Sequence, residues 1–279
     1  MYTIGLSTTS KSICEELFLN YSRAGISAME ISTRSENYPL LSYKEIYSLS
    51  RKYDIDLWSF HLPFKPFDEI DLSNRALCKK TCSYLAQFIK KASDIGINKF
   101  VVHSSGIVRA DDPDRKEKMK CAKESLAVLA DIAKEEGAVL AVENLPPICL
   151  GKDSAEISEL ISAHDDLRVC FDTNHLLDED AMDFIRKLGD KIITIHVSDY
   201  DYINERHWLP GEGQVDWQEM LKALQTVNYK GVWMYEVAFG GLKTIIRSRD
   251  LTCEDFVRNA KEIFTNEELT VWGTPVTGL

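Results

Sequence analysis

The chain has 279 residues, 44 % of them hydrophobic and 28 % charged, the balance of a globular protein long enough to bury its own core. Acidic residues outnumber basic ones by 44 to 33, and the net charge of −11 argues against a general nucleic-acid binder, which presents a basic face to phosphate. No apolar run approaches the roughly 18 residues a membrane span needs, and the opening MYTIGLSTTS lacks the basic-then-apolar order of a secretion signal, so a cytoplasmic protein is expected.

Short runs rich in Val, Ile and Phe alternate with longer amphipathic stretches, which predicts strands alternating with helices. From the N-terminus, a strand at 2–7 (YTIGLS) leads to a helix at about 11–24, and a strand at 27–32 (SAMEIS) to a helix at 42–53. A strand at 55–61 (IDLWSFH) precedes a helix at 74–95, and one at 99–104 (KFVVHS) precedes a helix at 114–136. In that last helix Met119, Ala122, Leu126, Leu129 and Ile132 or Ala133 recur at helical spacing, and Gly137 stops it. A strand at 139–144 (VLAVEN) is followed by a helix at 153–164, and one at 167–172 (LRVCFD) by a helix at 180–188. The strand at 192–198 (IITIHVS) leads to a helix at 216–227, where Asp216 with Glu219 three residues on resembles a capping box. A strand at 231–237 (GVWMYEV) and a helix at 253–265 complete the series, and the tail is expected to be irregular from about Glu268, packed on the barrel bottom or on a partner subunit.

Eight strand–helix units imply a parallel sheet, and their number and the chain length favour a closed (βα)8 TIM barrel over an open doubly wound sheet. A single α/β domain spanning 1–279 is expected, with no linker or low-complexity segment. No GxGxxG follows the first strand, which removes the simplest dinucleotide-binding reading. The seven cysteines, odd in number, irregularly spaced and without a CxxC pair, are expected as reduced thiols; Cys78 and Cys82 read as two half-buried residues of one helix.

In this fold catalytic groups stand at the C-terminal ends of the strands. Those ends carry Glu30, His61, His103, Glu143, Asp172 with His175 just beyond, His196 and Glu236, and the loop after the seventh strand adds Glu205, Arg206 and His207. Five of the six histidines therefore fall at one rim or in a loop above it, and only His164 lies elsewhere. One strand-end His or Glu alone reads as a satisfied structural group. Several carboxylates buried together need a compensating cation or protons. VCFDTNHLL at 169–177 shows the pattern in small: an apolar strand ending in Asp172 and His175, two members of a ring of oxygen and nitrogen ligands. Glu143, Asp172, His196 and Glu236 come from four consecutive strands, and mixed carboxylate–imidazole ligation suits Mn, Mg, Co or Zn.

The ordered set VENLP, FDTNH, IHVSD, ERHWLPGEGQVDW and MYEVA resembles the xylose isomerase-like barrel superfamily, over essentially the whole chain. That group contains sugar isomerases and epimerases, inosose dehydratases and metal-dependent apurinic endonucleases. The resemblance to its ketose 3-epimerases implies a divalent metal on Glu143, Asp172, His196 and Glu236, with Glu143 and Glu236 doubling as acid/base groups on opposite faces of the substrate. It places His175 and Arg206 on substrate oxygens, while the endonuclease branch would use His61, His103, His175, Glu205 and His207 as ligands of further zinc ions. The family's Asp-Arg-His is Glu-Arg-His here, and ENLPP offers no lysine, which makes a Lys-assisted hydride shift less suitable than proton transfer.

The resulting expectation is a metal-dependent sugar, sugar phosphate or inosose isomerase or epimerase of carbohydrate metabolism, with proton transfer through a stabilised enediolate. The alternatives are an apurinic endonuclease-like phosphodiesterase and an inosose dehydratase-type lyase. A small sugar or polyol is the expected partner, neither nucleic acid nor membrane, and the resemblance implies a homodimer or homotetramer. Trp58, Phe64, Trp208 and Phe239 are candidates for an apolar wall, PGEG at 210–213 for a closing turn, Lys65 and Arg109 for a phosphate contact, and Glu30 for support of the ligands.

Overall fold

A computed structural model describes residues 1–9 and 11–276; Ser10 and residues 277–279 of the expected tail lie outside the described residues. Eight parallel strands, β1 (Ile4–Ser7), β2 (Ala28–Ile31), β3 (Asp56–His61), β4 (Lys99–Val102), β5 (Val139–Glu143), β6 (Arg168–Asp172), β7 (Ile192–His196) and β8 (Trp233–Tyr235), form one sheet in the order β7-β6-β5-β4-β3-β2-β1-β8. The ring closes between its two ends: the Val197 N–H donates to the Met234 carbonyl at 2.8 Å, and the Glu236 N–H to the Val197 carbonyl at 3.1 Å. Around it lie α1 (Glu15–Ala24), α2 (Tyr43–Tyr53), α3 (Cys78–Ser93), α4 (Arg115–Glu135), α5 (Ser154–Ile161), α6 (Ala181–Leu188), α7 (Trp217–Thr226) and α8 (Cys253–Thr265). This is a single-domain TIM barrel, and every strand and helix the sequence predicts is present, most of them shorter by a few terminal residues.

The main core lies between the sheet and the helices, where outward strand residues such as Leu6, Phe60, Phe100 and Phe171 meet Phe88, Leu126, Phe184 and Phe256. Alternate strand residues point the other way, into the barrel. Ala28, Val232 and Met234 fill one end together with Trp58, and Val101, Ala141 and Cys170 form a second cluster. Gly5 is required here, because a Cβ would sit 2.5 Å from Val232 Cγ1 and 2.7 Å from Met234 Cε. Two residues further along each strand, the inward positions turn polar: Glu30 after Ala28, His103 after Val101, Glu143 after Ala141, Asp172 after Cys170 and Glu236 after Met234. The apolar plug thus ends in a floor of carboxylates and imidazoles.

Three local features depart from the sequence reading. Residues 268–276, expected to be irregular, include β10 (Gly273–Pro275), which pairs antiparallel with β9 (Ile245–Arg247) and is pinned by the Arg249 guanidinium 4.2 Å over the Trp272 ring. Asp216 does cap α7, accepting from the Gln218 and Glu219 N–H groups at 3.1 and 3.0 Å, but the Glu219 side chain pairs with Lys222 at 2.9 Å instead of turning back. The full capping box stands at α8, between Thr252 and Asp255. All seven cysteines are free thiols, and among the described residues no helix is long and apolar enough to cross a membrane.

Candidate metal centre and active-site cavity

Glu143, Asp172, His196 and Glu236 each offer one ligand atom, and the four atoms lie within 4.8 Å of one another. Adjacent-strand registry brings them together: Asp172 pairs with His196 across β6 and β7, and Glu236 is held just past β8 by the bond of its N–H to Val197. The His196 Nδ1 lies 3.1 Å from Glu236 Oε2, 3.4 Å from Glu143 Oε1 and 3.7 Å from Asp172 Oδ2. Its Nε2–H donates to the fully buried Glu30 Oε2 at 3.0 Å, which in the neutral ring leaves the Nδ1 lone pair facing the three carboxylates. Both Asp172 Oδ2 and His196 Nδ1 are buried without a hydrogen-bond partner. Buried polar atoms are rarely left so, and here the orphaned pair are two donors aimed at one point.

Two further groups flank this one. His61 and His103 place Nε2 at 3.1 and 3.2 Å from Glu143 Oε2, and His175, Glu205 and His207 form another set with the His175 Nε2 3.6 Å from Glu205 Oε2. Three of these rings are fixed by backbone carbonyls that accept from Nδ1–H: Leu62 for His61 at 2.9 Å, Asn144 for His175 at 2.9 Å and Glu236 for His207 at 3.2 Å. In its neutral form each ring therefore turns an Nε2 lone pair into the site, and that of His61 faces a carboxylate. Such a pairing is repulsive until a proton or a metal ion stands between them.

The electrostatics say the same. Burial alone would raise the Glu143 carboxyl, but the His103 and His196 imidazoles outweigh it and hold the group well below its ordinary value. Burial disfavours a charged His61, yet the bonded Glu143 carboxylate pushes its pKa up to about 9; likewise Asp172 and Glu205 overcome burial at His175, raised to about 10. His103 goes the other way, lowered by burial. Carboxylates stripped of protons beside the proton-holding imidazoles of His61, His175 and His196 describe a pocket that draws in positive charge, the demand a divalent ion meets. Cys170, in a group with Glu143 and His196, is pushed well above a thiol's ordinary value by burial and packs with Val101 and Ala141 inside the barrel.

Above the floor opens a cavity of about 680 Å³, lined by His61, His103, Glu143, His175, Glu205, His207 and Glu236, with apolar walls. Arg206, expected on substrate oxygens, is not among the lining residues; its Nε donates to Asp201 Oδ2 at 2.8 Å and its guanidinium lies 5.6 Å over the Trp208 ring. Phe64 and Phe239 do line the cavity, whereas Trp58 donates to Thr194 inside the barrel and Trp208 is buried against Thr244. The PGEG turn is a brace: Asp199 accepts from Gly211 and Val215 N–H groups at 2.7 and 3.1 Å, and Glu212 pairs with Arg247. Lys65 lines the cavity; Arg109 does not.

Sequence reasoning missed Thr9 and Lys11, which line the cavity from the loop after β1; the Thr9 hydroxyl donates to Glu236 Oε1 at 3.2 Å. Their place just past a strand end was the available signal. It also missed Asn144, which exchanges two bonds with the Asp172 backbone at 2.9 and 2.7 Å, and Asn174, whose Oδ1 accepts the Arg206 N–H at 2.9 Å and the His207 N–H at 3.3 Å. The latter bond helps hold His207 at φ 52°, a left-handed backbone that a non-glycine residue adopts only when held.

A family model described as a xylose isomerase-like TIM barrel matches residues 18–250. The uncharacterized protein MJ1311 of Methanocaldococcus jannaschii is 24 % identical over 219 residues, 76 % of this chain and 73 % of that protein. A fructoselysine 3-epimerase of Escherichia coli is 26 % identical over 122 residues, 41 % of this chain and 44 % of the enzyme. Among solved structures, a D-tagatose 3-epimerase-like protein superimposes with a TM-score of 0.79 at 21 % identity, covering 95 % of this chain and 98 % of its own, a likeness of fold.

Proposed function

This chain belongs to the xylose isomerase-like TIM barrel family, and we propose that it is a sugar isomerase or epimerase that depends on a divalent metal and works by proton transfer. One observation carries the reading: Asp172 Oδ2 and His196 Nδ1, buried without a hydrogen-bond partner, converge with Glu143 and Glu236 at the floor of an open cavity. These four residues would hold the ion, of which Mn, Mg, Co and Zn all suit the donor set. A bound divalent ion supplies Lewis acidity to a substrate carbonyl. Glu143 and Glu236 stand at the ends of β5 and β8. One carboxylate takes the proton from the carbon beside the carbonyl, and the other returns a proton on the opposite face, with the enediolate between the two steps. Thr9 orients Glu236 through its hydroxyl, and His175 is placed to bond a substrate hydroxyl. The names of the epimerase relatives support this choice of chemistry.

The three-ligand groups His61–His103–Glu143 and His175–Glu205–His207 favour a second reading, a zinc-dependent phosphodiesterase with two or three ions. It ranks below the first because Lys11 and Lys65 are the only lysine or arginine side chains among the described lining residues, too few for a nucleic-acid backbone. Elemental analysis of protein purified without added metal separates them: one ion per chain for the first reading, two or three zinc ions for the second. Glu143→Gln and Glu236→Gln should each lower ketose turnover roughly 10²–10⁴-fold with the circular dichroism spectrum unchanged. Full activity in both variants overturns the acid/base assignment.

A further inference from the structure

The cavity is larger, and above its floor more apolar, than a bare sugar needs. Its volume of about 680 Å³ falls in the roughly 300–1,000 Å³ range of pockets for drug-sized ligands. Beyond the floor, the wall is built by Phe64, Phe67, Ile107 and Ile148 on one part of the rim and by Phe239 and Leu242 on another. Ile107 and Ile148 are 51 % and 44 % exposed although they belong to a lined cavity rather than to open surface. Folding does not need them there. The polar side chains above the floor are few, and two are already engaged: Thr9 on Glu236, and Lys11 on the Phe239 ring face, 3.9 Å from its centroid. A bare hexose would bury hydroxyls against this wall without partners, which is unfavourable.

We propose that the substrate is a ketose carrying an aromatic substituent on a terminal carbon, the sugar lying on the carboxylate–imidazole floor and the ring against the Phe64–Phe67–Ile107–Ile148 wall. The proposal rests on the isomerase or epimerase reading of the same site. Terminal attachment follows from that chemistry, because the carbon beside the carbonyl, which loses and regains the proton, must stay open to both carboxylates. Flat phenylalanine faces suit a ring, as Phe64 shows by stacking on His103 with centroids 4.0 Å apart.

The test compares D-fructose with its 1-O-benzyl and 6-O-benzyl ethers by calorimetric titration of the manganese-reconstituted protein. One of the ethers should bind roughly 10- to 100-fold more tightly than the parent sugar, the gain from fully burying a phenyl group, with a more negative heat-capacity change. Phe67→Ser and Ile148→Ser should each pull that ratio toward one. Equal affinities for ether and parent, or a ratio that neither substitution moves, overturn the proposal. Deuterium uptake from D2O, followed on the same sugars, separates this failure from that of the parent reading. Exchange into fructose with no preference for the ethers keeps the isomerase and removes the aromatic substituent. Tight, wall-dependent binding of an ether without exchange into any sugar supports the apolar subsite and refutes the isomerase.

Discussion

Replacing Glu30 by Gln isolates the residue that orients His196. Glu30 Oε2 accepts from the His196 Nε2–H at 3.0 Å and from the Ser59 hydroxyl at 2.8 Å, inside a fully buried site. The carboxylate fixes the tautomer that frees Nδ1 and makes the ring a stronger donor. Glutamine keeps the shape but loses the charge, and its amide can donate to Nε2, which shifts the proton onto Nδ1 and closes that ligand position. Outer partners of this kind contribute about 10–100-fold to metal affinity, or roughly 1.4–2.8 kcal/mol. At about 2.1 cal/mol/K per residue, 279 residues unfold with an entropy near 0.6 kcal/mol/K. The rise in Tm on adding manganese should therefore be smaller by about 2–5 °C in Glu30→Gln than in the native protein, at the same metal concentration in excess of both dissociation constants. In EDTA the variant should melt below the native protein, because one partner of the buried Glu30–His196 pair is gone. Scanning calorimetry with manganese and with EDTA reads both. An undiminished manganese-induced rise in the variant refutes the role assigned to Glu30.

Two other outcomes follow from buried charges. Burial lowers the Lys11 ammonium to about 8 despite the favourable charges of Cys253 and Glu236. Between pH 8 and the lysine's ordinary value of about 10.4 the unfolded chain binds the extra proton, so stability should rise with pH across that window. Lys11→Met should flatten the rise in urea unfolding at pH 7.5 and pH 10, and an unchanged slope contradicts the assignment. Arg247 meets the buried Glu212 and also donates to the Ala238 carbonyl at 3.0 Å, bracing the loop that carries Phe239. Arg247→Met should cost about 3–5 kcal/mol by stranding Glu212, with much of it recovered in Glu212→Leu/Arg247→Met; equal loss in single and double variants contradicts the pairing.

The barrel was legible because its strands and helices repeat local patterns: a buried run of four to six residues, then an amphipathic stretch closed by Gly or a polar cap. Strand-end His and Glu were legible for the same reason, since strand periodicity alone fixes which residue of β5 or β8 faces inward. The partner each side chain takes was not. Arg206 neighbours the site in sequence, yet its Nε donates to Asp201, five residues earlier, and it is not among the residues that line the cavity. Glu219 satisfies the spacing of a capping box but finds Lys222 instead. The β9–β10 pair joins three-residue segments more than twenty positions apart, too short to show a period. Asn144 and Asn174 look like ordinary turn residues, and only the assembled rim shows what each of them holds.

The central claim is two-base proton transfer at a metal-dependent floor. Its most direct test is NMR of a turned-over ketose in D2O, with manganese-loaded and EDTA-stripped protein side by side. The account predicts one solvent deuterium at the inverted carbon of each product molecule, in the loaded protein alone. Product formed without deuterium, or formed equally well after stripping, contradicts it.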